Sequence, residues 1–175
     1  HYRYAPAMST FLVECDAATW QAYGFESKTI EQSQAICEQV FAATLDGHKL
    51  ISNKSVWRNF PWIWNENWSH GNMVLIGAAL HSAHVSIGSG TRLASADAIA
   101  LTKALEAESE IPAALARYQA ERKPIVQKLV TAARTSADWY EHFPEHMKLD
   151  LMDFAYSYIT RSGRIDDARL RAMSP

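Results

Sequence analysis

The chain has 175 residues, with 17 Lys and Arg against 19 Asp and Glu, a net charge of −2 at neutral pH. That length suffices for one sizeable core and falls short of two average domains. The balanced charge gives no electrostatic reason to expect nucleic acid or an anionic membrane as a partner, and 48% hydrophobic residues with only seven Gly and six Pro exclude a disordered or fibrous chain.

Cys15 and Cys37 are too few for a disulfide framework or a four-thiolate metal site. Both lie among apolar neighbours and read as buried thiols of a protein in a reducing cytoplasm. The opening residues His1-Tyr2-Arg3-Tyr4 lack the apolar run of a signal peptide. The longest stretch free of Asp, Glu, Lys and Arg, residues 67–91, is interrupted by His70, His81, His84 and four glycines, so it does not read as a membrane span.

Residues 10–15 (TFLVEC) are rich in strand formers, and Tyr2 and Tyr4 before Ala5-Pro6-Ala7 supply a partner strand, so a hairpin is expected. Residues 29–45 read as a helix, opened by a Thr29/Gln32 capping box and stopped at Gly47. Residues 56–64 are aromatic and extended, with Pro61 limiting them to an edge or bend. Residues 73–76 form a short apolar run ending at Gly77, as in a buried strand. A helix follows Gly88-Ser89-Gly90-Thr91 and runs to about Leu105, with Leu93, Ala94, Asp97, Ala98 and Leu101 at helical spacing. The next helix starts near Ser109, tolerates Pro112 in its first turn, repeats through Leu115, Tyr118, Ile125 and Leu129, and is expected to kink at Pro124. Residues 150–160 are helical, before a basic, polar tail. Strands first and helices later make an α+β arrangement.

Three constellations carry potential chemistry. His142-Phe143-Pro144-Glu145-His146 matches the inverted zinc-protease pattern, but Pro144 between the histidines disfavours the regular helix that zinc would need, and no metal is expected. Trp57, Phe60, Trp62, Trp64 and Trp68 either line a pocket for a flat substrate or form an aromatic core or patch. Gly88-Ser89-Gly90-Thr91 entering a helix is either a place where unpaired N–H groups meet an electron-rich ligand or a mere tight turn. Leu93 stands where a third glycine of a dinucleotide fingerprint would be.

Residues 72–81 (NMVLIGAALH), Ser86-Ile87-Gly88-Ser89-Gly90-Thr91, Ser95-Ala96-Asp97-Ala98 and Tyr118-Gln119-Ala120-Glu121-Arg122-Lys123-Pro124 together resemble the second flavin-binding motif and following helix of the FAD-dependent aromatic hydroxylases (group A flavoprotein monooxygenases). Residues 8–15, 57–61, 84–88, 136–141, 154–157 and 160–162 extend the likeness over nearly the whole chain. They are most similar to the hydroxylases of salicylyl-CoA and 2-aminobenzoyl-CoA and to the violacein-pathway hydroxylase.

The resemblance implies part of a flavin monooxygenase fold. Residues 1–70 would contribute to an antiparallel or mixed substrate-domain sheet, 71–106 the strand, loop and helix of the flavin motif, and 107–175 the C-terminal helices. The Rossmann-like half that holds the ADP end of FAD is expected to be missing, and that half of the same enzyme is then a partner. FAD is the implied cofactor, NAD(P)H the reductant, and a small aromatic compound, linked or not to coenzyme A, the substrate. The implied cofactor-binding residues are Gly77, Ala78, Gly88, Gly90, Thr91 and Arg92. Trp57 and Phe60 would border the substrate, and His84 is the one candidate for a catalytic role. Ala78 departs from the Gly-Asp of the family, whose Asp accepts hydrogen bonds from the ribityl hydroxyls; losing such a partner costs about 0.5–3 kcal/mol. The alternative reading is a degenerate, non-catalytic module that binds an aromatic ligand or a partner protein.

Overall fold

A computed structural model describes residues 1–173. The chain divides into two compact units, His1–Asn59 and Phe60 onward. Helices dominate, joined by two antiparallel two-stranded ladders, an α+β composition.

In the first unit, β1 (Tyr2–Ala5) pairs with β2 (Met8–Thr10) as an antiparallel hairpin, Tyr2 opposite Thr10, with an irregularity between Arg3 and Ala5. The hairpin was expected, but its second strand lies earlier than the sequence indicates. Residues 11–15 form no ladder, because strand propensity is realised only where a neighbouring backbone supplies partners; Phe11 instead packs on His1 and Phe41. α1 (Ala17–Ala22) is capped by Asp16, whose carboxylate accepts the Thr19 N–H at 2.8 Å. α2 (Ile30–Val40) opens with the expected capping box, the Thr29 and Gln32 side chains each bonding the other's N–H. The expected single helix over 29–45 divides at Phe41, where φ is −102°, and resumes as α3 (Ala42–Leu45), which ends at a left-handed Asp46. Cys37 is buried as expected, but Cys15 is exposed.

The second unit has β3 (Ser69–His70) paired with β4 (Met73–Val74) across a turn with Gly71 at φ +58°. Residues 56–64 form no strand; Trp64 makes an isolated bridge to His81. The expected buried strand over 73–76 is a two-residue strand on the surface, with Met73, Leu75 and Ile76 all exposed. The run is continuously apolar, but only Ser69–His70 pairs with it, so its outer face stays uncovered among the described residues.

α4 (Gly90–Ala107) and α5 (Ile111–Glu141) pack side by side and carry the core. Tyr118, Arg122, Val126 and Val130 of α5 are buried at intervals of four, one ridge of the helix surface. Leu93, Asp97 and Ala104 are the buried positions of α4. The expected stripe through Ile125 and Leu129 is displaced onto Val126 and Val130, leaving Ile125 exposed. The displacement has a cause: Arg122, which a sequence reading puts in water, occupies the ridge because Asp97 meets it. Trp68 and Tyr118, rings 5.3 Å apart, pack with Leu80, Ala104, Ala114, Val126 and Val130. The Trp68 N–H donates to Gln119 at 2.8 Å, and Lys123 reaches Glu66 at 2.8 Å, so the segment before β3 is held along α5.

α5 runs unbroken through Pro124, which is exposed, so the carbonyl it deprives of a partner sits on a solvated face. α6 (Phe143–His146) and α7 (Leu151–Thr160) follow, α7 capped by the Asp150 carboxylate, and α8 (Asp167–Met173) closes the described chain. Trp139 centres this end: His146 stacks on it at 4.5 Å, and its indole N–H donates to the Ser157 hydroxyl at 2.8 Å. His142 bonds the Asp138 carbonyl instead, and no group of three metal-ligating side chains occurs among the described residues. No described helix is long and apolar enough to cross a membrane.

Candidate functional site

The site is assembled around the N-terminus of α4. Gly77 opens a 3-10 turn (Gly77–Ala79) at φ +61°, and a Cβ built on it would lie 3.1 Å from the Ala94 Cβ. Only glycine permits both the left-handed backbone and this approach to α4. Gly77→Ala should therefore cost about 1–3 kcal/mol, through backbone strain plus the clash. Ala94→Gly in the same chain should recover only the clash. Thermal melts of the single and double variants measure both parts.

Beneath the turn lies the most buried charged side chain among the described residues. Asp97 is fully buried; its carboxylate accepts from Arg122 Nε and His81 Nε2, each at 2.8 Å, and from the Gly77 N–H at 3.1 Å. Burial acts to raise the carboxyl's pKa, but the bonds from His81, Arg122 and Gly77 together outweigh it and hold the group below its ordinary value. Arg122 also reaches the Leu93 carbonyl at 3.3 Å. One carboxylate thus ties the Gly77 turn, α4 and α5 together.

The loop between the turn and α4 contains a second 3-10 turn, Val85–Ile87, which His84 caps: Nδ1 accepts from the Ser86 N–H at 3.2 Å. Acceptance at Nδ1 puts the proton of the neutral ring on Nε2, leaving a donor there. Phe60 and Trp62 flank His84, ring centres 6.4 and 6.2 Å away. Gly88 follows at φ +57° with open space where a Cβ would stand.

Ser89 occupies the N-cap position of α4 but does not cap it: its hydroxyl donates to the Ile87 carbonyl at 3.1 Å and accepts from Arg92 at 3.2 Å. The first turn of a helix has no intrahelical partners for its N–H groups. Those of Gly90, Thr91 and Arg92 are therefore left unspent at the positive end of an 18-residue helix. A Cβ at Gly90 would also meet nothing within 4 Å, and its φ is not in the left-handed range.

The structure thus brings Gly77, Ala78, His84, Gly88, Gly90, Thr91 and Arg92 to one end of α4, with Phe60 beside His84. Ala78 is exposed in its turn. Trp57 packs in the first unit, against Phe25 at 4.5 Å. The five-residue aromatic set has divided fates: Trp68 is core, Trp64 packs on it, and Phe60 and Trp62 stay exposed. His81, Asp97 and Arg122 were not among the sequence candidates. The signal available was an acid within the apolar stripe of α4 and an arginine on the buried face of α5, but neither shows in isolation what it pairs with.

Residues 6–133 match the family described as FAD binding domain. The chain belongs to that family. It is 38% identical over 172 residues to the salicyloyl-CoA 5-hydroxylase of a Streptomyces species, covering 92% of this chain and 33% of that protein. It is 42% identical over 164 residues to the 3-hydroxy-4-methyl-anthranilyl-(aryl-carrier protein) 5-monooxygenase of Streptosporangium sibiricum, covering 94% and 42%. With the protodeoxyviolaceinate monooxygenase of Chromobacterium violaceum the identity is 37% over 175 residues, covering 99% and 45%. The chain therefore spans between a third and just under half of the length of these curated relatives.

Proposed function

We propose that the whole protein is an FAD- and NAD(P)H-dependent monooxygenase that hydroxylates a small aromatic substrate, and that the residues gathered at the start of α4 receive the flavin ring. The observation that carries this reading is the uncapped, glycine-opened N-terminus of α4, with free space in front of Gly88 and Gly90. This donor set fits the polar edge of an isoalloxazine ring, which accepts hydrogen bonds and gains negative charge on reduction. When bound, FAD supplies the redox and oxygen-transfer chemistry, with reducing equivalents from NAD(P)H.

The chain's own residues supply position and electrostatics. The N–H groups of Gly90, Thr91 and Arg92 would stabilise negative charge at the ring edge. Gly77 and Ala78 would lie along the ribityl chain. His84 offers its Nε2–H donor beside the exposed faces of Phe60 and Trp62, a place suited to a flat substrate. Names of the relatives include a coenzyme A thioester and an aryl-carrier-protein-bound ring; an aromatic acid, free or acyl-linked, is the substrate class we favour. The adenosine end of FAD has no G-x-G-x-x-G unit in this sequence, and we assign its binding to the Rossmann-like half of the same enzyme.

The test is FAD titration of the protein joined to that half, followed by flavin fluorescence and by NAD(P)H- and oxygen-dependent hydroxylation. Ala78→Asp should tighten FAD by about 0.5–1.5 kcal/mol, the net worth of a typical hydrogen bond. Absence of FAD binding in the joined protein would leave the non-catalytic ligand-binding module as the better reading. Unchanged affinity in Ala78→Asp would remove Ala78 from the ribityl contact.

A further inference from the structure

Among the described residues, three buried side-chain polar atoms lack any hydrogen-bond partner: Ser86 Oγ, Ser136 Oγ and Arg161 Nε. Two of them, Ser86 and Arg161, share a neighbourhood. Arg161 donates to the Ser86 carbonyl at 3.3 Å, from a position 75 residues further along the chain. It also lies over the rings of Tyr158 and Tyr140, at 4.1 and 5.8 Å. Phe154 stands opposite Phe143 and Tyr158 opposite Trp139, at 6.1 and 5.7 Å, so α7 runs back along the end of α5. Ser136 precedes Tyr140 by one turn on the same face of α5, the face that Arg161 meets at Tyr140.

The charges in this neighbourhood are one-sided. The two guanidinium nitrogens of Arg161 that do have partners reach only neutral carbonyls, those of Tyr158 at 2.6 Å and Ser86. No described carboxylate forms an ion pair with it, nor with Arg134, which lies over Trp62 at 5.3 Å. Ser136 is completely buried. Buried donors are nearly always satisfied, and a guanidinium with an idle Nε beside two idle hydroxyls matches the fork-like recognition of an oxyanion.

We propose that Arg161, Ser136 and Ser86 form a receptor for an oxyanion, carboxylate or phosphate, carried by the aromatic substrate. The receptor adjoins the Val85–Ile87 turn that His84 caps, so an anion held there would place the attached ring on the His84 side of the loop. This deepens the proposed function and rests on it for the identity of the substrate, whereas the anion site itself does not depend on flavin.

The test titrates the chain, without FAD, with salicylate, phenol and inorganic phosphate, following tryptophan fluorescence and heat. Salicylate should bind saturably and phenol at least roughly tenfold more weakly. Arg161→Gln, checked for folding by circular dichroism, should weaken salicylate by roughly tenfold or more and leave phenol unchanged. Arg161→Lys, which keeps the charge and loses the fork, should lie between. Ser136→Ala should leave the free chain as stable or more stable while weakening salicylate, the opposite of what a merely structural serine does. Arg161-dependent binding of phosphate without salicylate would assign the receptor to a phosphate-bearing substrate. No saturable binding of either anion, or equal binding by the wild type and Arg161→Gln, overturns the proposal. Arg161-dependent anion binding in a protein that never takes up FAD would overturn the flavin reading and leave the receptor standing.

Discussion

Asp97→Ala should destabilise the chain by about 3–5 kcal/mol, the usual cost of removing one member of a buried ion pair. A typical domain has only about 5–15 kcal/mol in hand, so this variant should stand near the threshold of folding. The reason is geometric. Arg122 stays buried with its Nε–H aimed at a missing carboxylate, and the Gly77 N–H and His81 Nε2–H lose their acceptor at the same time. Asp97→Asn keeps the shape and one acceptor, and should lose less, about 1–3 kcal/mol. The same network sets an acid limit. The Asp97 carboxyl is held below its ordinary value of 3.8, so its contribution is complete above that pH. It is lost as the pH falls through the lower, folded-state value. Urea melts between neutral pH and pH 3 or below should show an acid limb that Asp97→Asn flattens. A melt of Asp97→Ala indistinguishable from wild type would mean that the three elements are held by apolar packing alone.

Gly90→Val should separate folding from ligand binding. Space for the side chain exists, since nothing lies within 4 Å of a Cβ there, and the backbone is not left-handed. Glycine is therefore not needed at this position for its backbone angle. The melting midpoint should move by no more than a surface substitution moves it, about 0.5 kcal/mol. In the protein joined to its FAD-binding half, flavin affinity should drop by roughly tenfold to a hundredfold, at about 1.4 kcal/mol per factor of ten. The isopropyl group would occupy the space in front of the α4 N–H groups that the flavin edge requires. A folded variant with undiminished FAD affinity and turnover would remove the ring-facing role of this helix start.

Local chemistry was readable along the chain. The Thr29/Gln32 capping box and the start of α4 at Gly90 depend on residues at most four apart. Backbone N–H groups at a helix start must find nearby acceptors or a ligand, and the residue types that serve them are written beside them. The glycine-rich entry to α4 was legible for that reason, and through its likeness to the flavin motif it pointed to the family.

What the sequence by itself determined, then, was the main helices α2, α4, α5 and α7, where α4 begins to within a residue or two, and which family the chain belongs to, whereas the short helices α1, α3, α6 and α8 did not show in it. The tertiary structure decided the partners of the charged residues and the fates of the aromatic ones. Asp97 meets His81, 16 residues earlier, and Arg122, 25 residues later; only the register of α4 against α5 brings them together. Trp62 and Trp68 are the same residue type in the same segment, yet one is exposed and the other fully buried, because burial depends on which face meets α5. The apolar run 73–76 lies on the surface for the same reason: hydrophobicity states a preference for burial, and only the arrangement of neighbouring elements provides the cover.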